Sequence, residues 1–352
     1  MVRGMRYAVT GSGASVIDTQ TGKKFLYETI DPETVKYIAA RAAGYVMPIF
    51  FIDDKTYRIE RQEMDIPITH TDGCGMILPE LSTKNFMTRL PWVKGLLASF
   101  DFVKFIKDNN CDPVITDVYG EKHNILEENI KIIFTKSQFK MWKYYSSWGE
   151  YKNNFKRYGS TAGKCNIEED YIPCATINYQ MIQTLIDTTD NEIATLARKS
   201  INDIRNLATD KATMLKVFGA TSYNKNMNGF QKCLKLYPEL LSDPYSRATL
   251  KDIKHSLETD QWAAKFKTSG KYTFVVPDLY AFCEHLFLHI SNPKGLLGNG
   301  EVSCKLFKDN IELDCLRSPH LYIEHAIRTN RHISNWFNTD AIYTSCADCC
   351  LL

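Results

Sequence analysis

Short apolar runs broken by turn-forming residues fill the first 135 positions; apolar residues then recur every three or four places from Ser137, and short runs return after Gly270. Alternating or unbroken apolar runs bounded by Gly, Pro, Asn or Asp predict strands. These fall at Arg6–Tyr27 (two or three short ones), Gly44–Ile52, Tyr57–Glu60, Met64–Thr69, Met76–Leu78, Phe100–Phe105, Pro113–Val118 and Ile130–Phe134. Pro32–Ala43 predicts a short helix, with Asp31 as its cap and Pro32 in its first turn. From Ser137, Phe139, Trp142, Tyr145, Trp148, Tyr151 and Phe155 mark the apolar face of a helix, better suited to a core than to stacking bases. Further helices are predicted at Tyr179–Asp187, Asn191–Leu207 (capped by Asp190 or Asn191), Ala212–Phe218, Asn228–Tyr237 and Thr249–His255. Strands resume at Tyr272–Val276, at Val302–Leu306 paired as a hairpin with Ile311–Leu316, and at Ala341–Tyr343. No repeat period is found.

The expected organisation is a mixed segment (1–60), a β unit with a basic, aromatic helix (61–165), a helical connection (166–268) and a second β region (269–352). A chain of 352 residues that is 44% hydrophobic can build two cores. No stretch is long enough for a membrane helix and no apolar segment follows the N-terminus, so a cytoplasmic protein with no membrane partner is expected. The 11 cysteines are scattered and mostly sit in apolar surroundings, as small core residues do in a reducing compartment. Cys346, Cys349 and Cys350, with His325 and His332 upstream, lack the second closely spaced pair that a structural zinc requires, and no metal site is expected.

Charge singles out two stretches. The chain nets +2, yet residues 131–165 hold eight cations (Lys131, Lys136, Lys140, Lys143, Lys152, Lys156, Arg157, Lys164) against Glu150, a local +7. Such a bias points to nucleic acid, for which Lys136, Lys140, Lys143, Lys152, Lys156 and Arg157 are the candidate contacts. With about seven phosphate contacts the salt slope would be near −0.9 per contact, and affinity would fall by more than about a thousandfold between 50 and 200 mM salt. The second stretch, Thr69–Gly95, sets Asp72, Gly73 and Gly75 in a turn that lets the backbone approach a ligand, then brings Arg89 and Lys94 within reach of an anion. Gly11 and Gly13 make a hairpin turn rather than a phosphate loop, having no third glycine, Walker lysine or following helix. Asp53 and Asp54 sit in a turn, and His70 has no nucleophile beside it.

Thr71-Asp-Gly-Cys-Gly-Met-Ile77, followed by Phe86-x-x-Arg89-x-x-x-x-Lys94-Gly95, resembles the first-barrel signature of the two-barrel RNA polymerases. That family includes cellular RNA-dependent RNA polymerases and the single-chain enzymes of phages and prophages. Tyr171–Gln180 is similar to the family's intervening stretch, and Leu316-Arg317-Ser318-Pro319-His320 to the motif that opens its second barrel. The resemblance implies an α+β fold: a double-psi β-barrel, a helical region and the beginning of a second barrel. It implies Lys94 as the active-centre lysine, Lys84 as a second, and Arg317 at the nucleotide ribose, with Arg89, Asp72, Gly73 and Gly75 also placed at the nucleotide. The partners would be NTPs and an RNA or DNA template. Two Mg2+ ions about 4 Å apart would serve the complete polymerase. The family holds them on an Asp-x-Asp-Gly-Asp loop, and no Asp-x-Asp occurs here. By the family's layout that loop would follow the region near Ala341–Leu352, so this chain is expected to bind nucleic acid without turnover, and a C-terminal polymerase fragment would supply the acids. Two other readings are a non-enzymatic nucleic-acid- or partner-binding module of a mobile element, and a metal-dependent hydrolase using Cys346, Cys349 and His332.

Overall fold

A computed structural model describes residues 71–169, 174–177, 181–182, 187–316, 325–346 and 348, together with strand backbone at 2–3, 7–10, 15–18, 24–25, 47–52 and 59–64. In the N-terminal part, β1 (Val2–Arg3), β2 (Tyr7–Thr10), β3 (Ser15–Asp18) and β4 (Lys24–Phe25) pair antiparallel in chain order, and β5 (Met47–Ile52) pairs with β6 (Ile59–Met64). The helix expected at 32–43, the turns at Gly11–Gly13 and Asp53–Asp54, His70, Arg317–His320, Cys349 and Cys350 lie outside the described residues.

The next strands are β7 (Cys74–Ile77), β8 (Phe86–Leu90), β9 (Val93–Ser99), β10 (Val114–Thr116), β11 (Lys122–Asn124), β12 (Ile132–Ile133) and β13 (Gly163–Ile167). Five of them form an open sheet in the order β12-β7-β9-β8-β13, while β10 and β11 make a separate hairpin. The strand expected at Phe100–Phe105 is instead the helix α1 (Phe102–Asp108). Asp101 accepts the Lys104 N–H and caps it, and Phe102, Phe105 and Ile106 bury one helical stripe. A short apolar run does not by itself distinguish the two periods. The continuous helix expected from Ser137 is also broken, into a 3-10 turn at Trp142–Tyr144 and α2 (Trp148–Arg157). Ser147 caps α2 through the Glu150 N–H, and Glu150 reaches back to the Ser146 N–H, fixing the start there.

Residues 171–272 form one compact unit, and 1–170 with 273–352 form the other. The smaller unit holds β14 (Ala175–Thr176) paired with β15 (Lys267–Thr268), and the helices α3 (Asp190–Asn206), α4 (Lys211–Val217), α5 (Gly229–Leu236) and α6 (Pro244–Trp262). The cap of α3 is Thr189, in a capping box with Glu192, rather than Asp190 or Asn191.

In the larger unit the chain resumes with β16 (Val275–Pro277), α7 (Leu279–Phe287), β17 (Glu301–Ser303), β18 (Glu312–Cys315), β19 (Ala326–Asn330) and β20 (Ile342–Thr344). The hairpin expected between Val302–Leu306 and Ile311–Leu316 is not formed, because β19 inserts between β17 and β18. The second sheet runs β16-β20-β17-β19-β18. It repeats the first: β7, β8, β9 and β12 lie in the order β12-β7-β9-β8, and β17, β18, β19 and β20 in the order β20-β17-β19-β18. The senses also agree, the first strand of each set being parallel to the third and antiparallel to the fourth.

Both sheets face one core, in which Met76, Phe100 and Phe105 meet Val276, Phe287 and Tyr343. Buried Asn85 ties them together with hydrogen bonds: its Oδ1 accepts from Ser99 N at 2.8 Å and its Nδ2 donates to Thr339 Oγ1 at 2.7 Å. The architecture is thus α+β, with two open five-stranded sheets among the described residues. No helix among them is long and apolar enough to cross a membrane.

Candidate nucleotide and nucleic-acid interface

The β8–β9 hairpin turns on Pro91 and Trp92, with Leu90 opposite Val93 and Arg89 opposite Lys94. Directly opposed residues of an antiparallel pair project from the same face. Both cations are exposed, and neither forms an ion pair among the described residues. Like charges placed this way repel unless an anion lies between or above them.

The hairpin is held from beneath. Lys94 N donates to the Gln138 carbonyl at 3.0 Å, Lys140 N to the Trp92 carbonyl at 2.9 Å, and Tyr151 Oη to the Pro91 carbonyl at 2.8 Å. The expected aromatic stripe is the floor: Val93, Phe139 and Tyr151 are buried, with Trp142, Tyr145, Trp148 and Phe155 packed around them. Burial there pushes the Tyr151 phenol up to about 12.

At Gly75 and Gly95 the room that glycine leaves is filled by the protein itself. A Cβ on Gly75 would collide with the Ile133 carbonyl and the Gln138 side chain, and one on Gly95 with the Gly73 carbonyl and the same amide. Gln138, fully buried, accepts from Thr135 N through Oε1 at 3.0 Å and donates through Nε2 to the carbonyls of Leu96 (2.8 Å) and Gly73 (3.3 Å). Gly73 turns with φ +69, and its N–H donates to Ser137 Oγ at 2.8 Å. Asp72 beside it is exposed. Gln138 and Ser137 had no signal in the sequence, since the partners that tie them to Gly73 and Leu96 are 42 to 65 residues away.

Lys84 is not brought beside Lys94. It precedes β8, at the opposite end of that strand from Arg89. Its carbonyl accepts from Ser82 Oγ, a hydroxyl that Lys164 Nζ also reaches at 3.2 Å. Lys136, Lys140, Lys143, Lys152, Lys156 and Arg157 are all exposed and make no ion pair among the described residues. Lys136 and Lys143 lie over the Trp142 ring, 4.7 and 5.8 Å from its centroid. Lys131, by contrast, is paired with Glu80 at 2.7 Å. Arg317 lies outside the described residues.

Four acidic groups of the second sheet and its loops are occupied. Glu301 faces Arg331 at 2.9 Å, Asp314 faces His325 at 2.7 Å, Asp340 faces Lys305 at 3.1 Å and Asp348 faces Arg328 at 2.6 Å. Magnesium needs gathered carboxylates free for it, so these residues do not fit a magnesium site. Cys346 Sγ donates to the carbonyls of Pro293 and Lys294, and His332 Nε2 meets the Phe307 carbonyl. Nothing among the described residues gathers Cys346 and His332 into a ligand set.

One group the sequence reading passed over has ligand atoms within 4.8 Å of one another: Asp117, Glu121 and His123, in the β10–β11 turn. Asp117 Oδ1 already accepts from Tyr119 and Glu121 N–H, and Glu128 takes His123 Nδ1 at 3.0 Å. The Glu128 hydrogen bond lifts His123 above its ordinary 6.5, and the same bond holds Glu128 below its ordinary 4.5. The histidine's contribution to stability is therefore complete below 6.5 and lost as pH rises through its folded value. The glutamate's is present above 4.5 and lost as pH falls. Hydrogen exchange corrected for intrinsic rate should find the β10–β11 amides best protected between those two values, and Glu128→Gln should return His123 toward 6.5 in an NMR titration. An unmoved His123 would remove the pairing.

No protein-family model matches the chain. Over 302 residues, 85% of its length, the chain is 50% identical to DNA-directed RNA polymerase YonO of Bacillus phage SPbeta, of which it spans 36%.

Proposed function

We propose that this chain is the part of a template-dependent RNA polymerase, of the phage and prophage type, that contributes the basic half of a nucleotidyl-transfer centre. The observation that carries the reading is the pair Arg89 and Lys94, exposed and directly opposed on one hairpin, with no acid paired to either among the described residues. Its like-charge repulsion is offset when a polyphosphate binds there. Lys94 meets the phosphates of the incoming nucleotide and Arg89 lies beside it, with Asp72 and the Gly73–Gly75 turn next to this end of β9. Arg317 holds the ribose. Lys84, at the other end of the hairpin, belongs to a different contact. The run from Lys136 to Arg157 carries the phosphate backbone of the template.

In this reading the repeated four-strand order is the core of two double-psi β-barrels, β7–β9 with β12 belonging to the first and β17–β20 to the second. The relative's name makes DNA the template to try first, with RNA as the comparison. Magnesium, in the complete polymerase, would stabilise charge on the attacking and leaving oxygens. The paired acids of the second sheet do not fit it, and a C-terminal polymerase portion would supply the acids.

Binding of a fluorescent ATP analogue by this chain is expected to weaken about tenfold in Lys94→Ala, the loss of one charge-assisted contact of about 1.5 kcal/mol. Lys84→Ala should change it less. On primed DNA with NTPs and magnesium, this chain by itself should make no RNA. An unchanged affinity in Lys94→Ala would overturn the nucleotide role, and templated synthesis would overturn the division of the site.

A further inference from the structure

Trp92 stands at the tip of the β8–β9 hairpin with φ +64. Bulky side chains rarely adopt that conformation, because the Cβ crowds the backbone. The residue is 54% exposed, and the ring makes no aromatic or cation–π contact among the described residues. The turn itself does not need a tryptophan, since its hydrogen bonds use the carbonyls of Pro91 and Trp92, which any residue offers. Glycine would make the same turn without strain. A strained, solvent-facing indole on a clamped turn is thus explained by something outside the chain.

Its surroundings say what. Lys140, exposed, is hydrogen-bonded through its backbone to the Trp92 carbonyl; Lys94 is two residues away, and Arg89 lies opposite Lys94. An exposed aromatic ring on a hairpin that also carries cations unpaired among the described residues suits a single-stranded nucleic acid, with the cations tracking phosphates and the ring stacking on an unpaired base. A protein partner with an acidic surface would use the cations but not explain the indole. We propose that Trp92 is a base-stacking subsite for single-stranded nucleic acid beside the basic hairpin. This rests on the nucleic-acid reading given above and names the contact that reading lacks.

The test compares wild type, Trp92→Ala, Trp92→Phe and Trp92→Gly by fluorescence anisotropy on three probes: a dT oligonucleotide, an abasic strand of equal length and a fully paired duplex. An rU strand separates DNA from RNA. Trp92→Ala should lose about tenfold or more in affinity for the dT strand. Its affinity for the abasic strand and the duplex should not change. Trp92→Phe should retain most of the affinity. Trp92→Gly should lose as much as the alanine variant while its Tm is not lowered, which a merely structural tryptophan could not do. Equal losses on the dT and abasic strands, or no loss on either, would overturn the subsite while leaving the basic surface standing. A wild-type chain that binds none of the probes would overturn both.

Discussion

Replacing Lys136, Lys140, Lys143, Lys152, Lys156 and Arg157 together by glutamine should flatten the salt dependence of nucleic-acid binding. Each phosphate neutralised on a single strand adds about −0.7 to the slope of log K against log salt, so six contacts give about −4. Between 50 and 200 mM salt the wild-type chain should then lose about three-hundredfold in affinity for a dT strand, and the variant little. The structure makes this expectation sharper than composition could. All six are exposed and unpaired among the described residues, whereas Lys131 is already held by Glu80 and Lys164 lies over the Phe86 ring at 4.2 Å. The last two should therefore contribute less to the slope. The substitutions are on the surface and, among the described residues, remove only the ring contacts of Lys136 and Lys143 with Trp142 and of Arg157 with Tyr158, so folding should be retained. A wild-type slope near zero would remove the basic surface from the proposed function.

Gly95→Ala should be among the most damaging single substitutions in the larger unit. Gly95 has φ +149, which an alanine adopts only under strain, and its Cβ would meet the Gly73 carbonyl and the Gln138 amide. Backbone strain of about 1–3 kcal/mol and overpacking of similar size sum to about 4 kcal/mol. Gly73→Ala isolates the first of these, because Gly73 has φ +69 and nothing within 4 Å of the added methyl. It should cost about 1 kcal/mol. Urea denaturation of the two variants measures the difference. Equal costs would mean that the contact at Gly95 relaxes freely. Since Gln138 and Gly95 together hold the start of β9, Gly95→Ala should also weaken the ATP analogue's binding, through Lys94, more than Gly73→Ala does.

The amino-acid sequence by itself determined the local choices that a few neighbouring residues can make. Its turn residues and short apolar runs marked strands near β7, β12 and β20, and the caps and apolar spacing marked α3, α4 and α5 to within a residue or two of their ends. The aromatic stripe was legible as a core although the continuous helix expected for it is broken, while the hairpin that sets Arg89 opposite Lys94 was not legible, both lying in a stretch of mixed basic and apolar residues. Phe100–Ile106 was not legible, because one short apolar run serves a strand or a helix equally well until Asp101 caps it and the core takes its stripe.

Only the tertiary structure decided the order of the strands. In both sheets the third strand inserts between the first and second, a choice set by hydrogen bonds between residues far apart, and this made the repeat invisible to any period in the sequence. It also decided what the glycines are for: Gly75 and Gly95 admit the Gln138 amide and neighbouring backbone, a contact across some forty residues or more that no local pattern encodes. Lys84 was placed before β8, away from the Pro91–Trp92 turn, and Glu301, Asp340 and Asp348 were paired with Arg331, Lys305 and Arg328. Those pairings depend on where side chains converge in space. That is why residue types alone marked Arg89 and Lys94 as candidates but could not say which side chains the fold sets opposite one another.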